Sequence, residues 1–104
     1  MSLQEFRDLL LTVTDAVYHF EAAKEKEEYI VWQELKDGGL YGSDNLCEKV
    51  KKVQVDFFTK KEFPEMLERL KAALKNDCIA YDEPIPSFDP ETKQFRYIIE
   101  CEVV

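Results

Sequence analysis

His19 is the only histidine in the 104-residue chain, and imidazole is the side chain best suited to take and return a proton near neutral pH. Its neighbours Tyr18 and Phe20 belong to an apolar, β-prone run, which makes it a sheet-face residue rather than a base. Joined by Cys47, Cys78 and Cys101 it would complete a four-ligand zinc set, but the spacing contains no CxxC or HxxxH pair. The cysteines are odd in number and far apart, so they predict no disulfide framework, fit a reducing compartment, and read as small packing residues. Gly38-Gly39 and Gly42 do not lead from a strand into a helix in a phosphate-cradling pattern, and read as turn residues. Glu25, Glu27, Glu28, Glu34, Asp82, Glu83, Glu100 and Glu102 offer too many pairings to single out an acid and a base; a solvated acidic surface explains them better. Trp32 is either core or interface anchor, and its apolar surroundings favour core. No catalytic, cofactor-binding or metal site is assigned on these grounds, and the chain reads as non-enzymatic.

The length suits a single domain, 1–104, with one core. An apolar fraction of 45% with 12% aromatic residues predicts a folded chain. With 22 acidic and 14 basic residues the net charge is −8, which disfavours binding to a phosphate backbone. The charge is uneven: residues 1–46 carry −6, residues 47–76 carry +3 and residues 77–104 carry −5. Such a division suits head-to-tail association of copies, and equally suits a solvated surface with chance clustering. No apolar run approaches the ~20 residues of a membrane span, and the acidic beginning does not resemble a signal peptide, so a cytosolic site of synthesis is expected.

Ser2 and Glu5 form a capping box ahead of Leu3, Phe6, Leu10 and Val13, predicting a helix from Leu3 to Thr14. Ala16 to Glu21 reads as a strand, joined in a hairpin through a charged loop to a second strand, Tyr29 to Leu35. Lys36 to Asn45, KDGGLYGSDN, holds all three glycines and is a loop. Val53, Val55 and Phe57 alternate with Gln54, Asp56 and Phe58, a half-buried strand clearest from Val50 to Phe58. Thr59 and Glu62 have capping-box spacing, predicting that a second helix starts at once and presents Phe63, Leu67, Leu70, Ala73 and Leu74 on one stripe to about Asn76. Ile79 to Phe88 reads as an edge or interrupted strand because of Pro84 and Pro86; Asp89 to Thr92 is a turn, and Gln94 to Val103 a strand with one core face. The expected fold is α+β, an antiparallel or mixed sheet of four to five strands with both helices on one face, in the order α-β-β-β-α-β-β.

In this order VYHFEA, YIVWQE, VQVDFFTKKEF, the YDEP strand and FRYIIECEV resemble the tail-terminator, or tail-completion, proteins of long-tailed phages and prophages, the minor structural proteins encoded between head and tail genes. The similarity covers most of the chain and lies in strand patterns, without a catalytic motif to carry over. It implies a subunit of a hexameric ring that caps the tail tube and joins it to the head connector. The implied partners are thus further copies of itself, the tail tube protein and the connector, with no membrane, specific nucleic-acid or cofactor requirement. The implied location is the bacterial host cytoplasm during assembly, then the head–tail junction of the virion. The family's long loop between the second and third strands corresponds here to Lys36 to Asn45, which makes Lys36, Asp37, Leu40, Tyr41 and Asp44 a candidate partner interface. A head–tail connector or stopper is the alternative within the same setting, and an acidic protein-interaction adaptor unrelated to virions is the alternative outside it.

Overall fold

Two long alternating strands pair along almost their whole length and set the frame for everything else. In the computed structural model, which describes residues 1–23, 27–35 and 50–104, these are β3 (Lys51–Thr59) and β6 (Gln94–Val103). Their antiparallel register runs from Lys51 opposite Val103 to Thr59 opposite Phe95. Period-two alternation then puts Val53, Val55 and Phe57 beside Cys101, Ile99 and Tyr97 on one face, with Gln54, Asp56 and Phe58 beside Glu100, Ile98 and Arg96 on the other. The remaining elements are α1 (Leu3–Leu11), β1 (Val17–His19), β2 (Tyr29–Glu34), α2 (Glu65–Leu74), β4 (Ile79–Tyr81) and β5 (Ile85–Asp89). The strands form a mixed six-stranded sheet in the order β1-β2-β3-β6-β4, with β5 also paired to β6.

Both helices pack on the first of these faces. Phe6 and Leu10 of α1, with Val13 just beyond it, and Leu70 and Leu74 of α2 share one buried cluster with Ile30, Trp32, Val53, Val55, Phe57 and Ile99. This is the expected α+β architecture. The Ser2–Glu5 capping box forms in both directions: the Glu5 N–H donates to Ser2 Oγ at 3.0 Å and the Ser2 N–H donates to Glu5 Oε1 at 2.8 Å. The Ser2 N–H foremost, and then the Ser2 hydroxyl, hold the Glu5 carboxyl below its ordinary value of 4.5. The helix stops at Leu11, three residues before the expected Thr14, where the Thr12 hydroxyl donates to the Leu9 carbonyl and closes the last turn.

Three expectations are corrected. First, β1 and β2 are parallel, Val17 opposite Ile30 and His19 opposite Trp32, so they are not a hairpin. Phe20 takes a left-handed φ of 71°, its N–H donating to the Trp32 carbonyl, and the Glu21 N–H turns back to the His19 carbonyl. A parallel return usually needs a long crossover, but β1 spans only three residues, so the distance to be recovered is short.

Second, Thr59 does not cap a helix. It remains in β3, fully buried, with its hydroxyl donating to Glu28 Oε2 at 3.0 Å and accepting from the Lys61 N–H at 3.1 Å. α2 therefore starts six residues later, behind Pro64, and Phe63 is left 87% exposed instead of joining the buried stripe. Third, Pro84 and the residues around it divide the expected strand Ile79 to Phe88 into β4 and β5, which pair in succession along one edge of β6 and bring the strand count to six.

Phe57 fills the centre of the layer between sheet and helices at 0% exposure. Phe57→Ala is expected to lower unfolding stability by about 3–5 kcal/mol in a denaturant titration, and a loss below about 1 kcal/mol would contradict this packing.

Candidate functional site

No described helix covers the second face of the sheet, because α1 and α2 both occupy the first. At one end of this open face lies a depression of about 930 Å³, within the size range of binding sites. Tyr29 and Val31 of β2, Asp56 and Phe58 of β3, and Gln94 and Arg96 of β6 form its floor. Phe20, Glu21, Ala22 and Glu27 wall one side; Asp89 and Thr92, from the β5–β6 turn, wall the other, and Lys60 closes the end.

Strand register explains why these side chains meet. Gln54, Asp56 and Phe58 alternate onto one face, and β6 places Arg96 directly opposite Phe58 and diagonal to Asp56. Arg96 reaches across that diagonal, its guanidinium NH2 donating to Asp56 Oδ2 at 2.8 Å, while lying 5.8 Å from the centre of the Phe58 ring. Gln54 Nε2 donates to both Asp56 oxygens, at 3.0 and 3.2 Å. Asp56 is only 7% exposed, so these donors replace the water that its charge has lost. Phe58 stacks on Tyr29 with centroids 4.7 Å apart and planes 13° from parallel, and Tyr18 meets Tyr29 edge-on. The result is a fixed aromatic and charged platform with an acidic rim, whose chemistry suits recognition of a complementary surface.

His19 lies on the opposite face, as its register with Trp32 requires. Its ring is held between Phe20 and Trp32, each centroid 4.1 Å away, and Nε2 is paired with Glu34 Oε1. Trp32 in turn meets Phe6 edge-on and is buried, so it belongs to the core. Cys101 is a core residue too. Burial pushes its thiol up from 9.0 to about 12, with the Asp82 carboxylate adding to the effect. Cys78 is half-buried. Among the described residues no group of three His, Cys, Asp or Glu side chains converges in a way that would hold a metal ion.

Lys36, Asp37, Leu40, Tyr41 and Asp44, the interface loop expected from sequence, lie outside the described residues, as does Cys47. The positive charges of the middle third do not gather on one face. Lys52 alternates onto the open face, while Lys71 of α2 pairs with Glu68 and Glu83, Lys61 with Glu28, and Arg69 donates to the Val13 carbonyl. Two of these cations, Lys61 and Lys71, are thus matched by carboxylates from the acidic end segments. In the sequence, alternation alone puts Asp56, Phe58 and Arg96 on the reverse faces of their strands, and nothing local joins them. The signal was present in Phe58 and Ile98, large apolar residues at positions that a simple water-facing surface would make polar. Comparison of the chain with models of known families, with curated proteins and with solved structures finds no match.

A double-mutant cycle of Asp56→Ala and Arg96→Ala should show coupling of about 1–2 kcal/mol, since each partner is left with an unmet charge in the single variants. Additivity within about 0.3 kcal/mol would show that the pair is inert. A thiol reagent at pH 8 should label Cys101 only on unfolding, because its thiolate is scarce in the native state. The same shift has a defined linkage sign: the folded state prefers the protonated thiol, so this group's contribution to stability is complete below pH 9.0 and is lost progressively towards about 12.

Proposed function

We propose that this chain is a non-enzymatic structural protein of a long-tailed phage or prophage, a tail-terminator or tail-completion subunit whose copies form a ring capping the tail tube and joining it to the head connector. The observation that carries the reading is the open sheet face, with its aromatic floor and fixed Asp56–Arg96 pair, which no described helix covers. A face of this kind suits burial against protein in an assembly better than permanent exposure. Ile85, opposite Ile98 on this face, acts in the same direction at 59% exposure. The segments that carry the family resemblance fall on β1, β2, β3 and β6, with the YDEP segment leaving the end of β4, all neighbours in the sheet order.

Tails assembled without this protein should show tubes of uncontrolled length in electron microscopy, and adding it back should restore a uniform length. Tails of unchanged length in its absence would overturn the reading.

A further inference from the structure

Among the described residues Phe63 is the most exposed of the large hydrophobic side chains, at 87%, and it stands on a rigid mount. The turn beneath it is held by the Lys61 N–H on Thr59 Oγ1, by the Thr59 hydroxyl on Glu28, and by Lys61 Nζ at 3.3 Å from Glu28 Oε1. On its other side Pro64 is buried and caps α2, which Leu70 and Leu74 anchor in the core. A protruding ring on an ordered turn loses little conformational freedom when it is buried, which is the property of an anchor residue. Lys60 and Lys61 precede it, with one opposing charge, Glu62, between them and the ring.

The depression on the open face has the complementary character. Its floor offers the half-buried Phe58 ring, stacked on the buried ring of Tyr29. Asp56 is already matched by Arg96, which leaves, among the described residues, Glu21, Glu27 and Asp89 on the rim against Lys60. With Lys61 held by Glu28, it is Lys60 that leads the ring, and an aromatic side chain led by a lysine matches an aromatic floor edged by carboxylates.

Building on the ring reading above, we infer that successive copies are joined by Phe63 of one copy seated in the open-face depression of the next. The knob stands on the turn that takes the chain from sheet to helix layer, and the receiving surface is the sheet face turned away from the helices. Contact between two different patches is heterologous, so it propagates from copy to copy and closes into a ring when the rotation per step allows. Charge supplies orientation in this contact and the buried ring supplies most of its strength.

Sedimentation velocity over a concentration and salt series, on the wild-type chain, Phe63→Ser, Phe63→Trp and the double variant Glu21→Lys/Glu27→Lys, tests the contact. Phe63→Ser should weaken self-association by at least about tenfold with an unchanged melting temperature, because the side chain packs on little in its own copy. Phe63→Trp should preserve association; the charge-reversed rim should weaken it, and added salt should weaken the wild type. Undiminished association of Phe63→Ser would overturn the inference and leave the ring reading standing, as would loss of association only in the rim variant, which would mean that another segment fills the depression. A wild-type chain that stays monomeric to about 1 mM would overturn the contact as well. Tube capping, read separately by electron microscopy, decides whether the ring reading falls with it.

Discussion

The antiparallel pairing of β3 with β6 is the constraint on which the rest of the molecule depends. It is the longest pairing in the sheet, and every other strand except β1 is hydrogen-bonded to one of its two members. Its register decides both faces at once. Val53, Val55 and Phe57 beside Cys101, Ile99 and Tyr97 supply the surface on which α1 and α2 settle, while Asp56, Phe58 and Arg96 meet on the reverse. A slip of one residue would turn the apolar set outwards and scatter the polar one, so stability and the candidate interface are set by the same hydrogen-bond ladder.

The two faces are treated differently by the chain. The first is sealed by helices, including the Trp32–Phe6 contact that links β2 to α1. The second carries the half-buried Phe58 ring stacked on buried Tyr29, and holds a carboxylate at 7% exposure beside them. Keeping such a charge there requires both Gln54 and Arg96 as donors, an arrangement that a surface meant only to be wetted does not need. The polar centre also fixes the position of Arg96 over Phe58, so the platform has a defined shape before any partner arrives. Preformed surfaces of this kind bind with less ordering cost than ones that must rearrange.

What was legible in the sequence was local. The Ser2–Glu5 capping box and the alternation in β3 and β6 depend on residues within a few positions of one another, and each was found where its spacing placed it. What was misread depended on distant partners. Thr59 has capping-box spacing with Glu62, yet Glu28, 31 residues away, claims its hydroxyl and holds it in the strand. The direction of β1 was equally hidden, because the same apolar residues face the core in a hairpin or in a parallel pair; the left-handed turn at Phe20 chooses between them. The open-face platform was missed for a related reason. Asp56 and Arg96 are 40 residues apart, and only the register of β3 against β6 puts them on one diagonal.

The central claim is that the open sheet face is an assembly surface. A cryo-electron-microscopy reconstruction of the head–tail junction of tails completed with this protein tests it most directly. The account predicts a closed ring of identical copies in which the Tyr29, Phe58 and Arg96 face of each is covered by its neighbour. A ring in which that face lies open to solvent, or a junction that lacks this protein altogether, would contradict it.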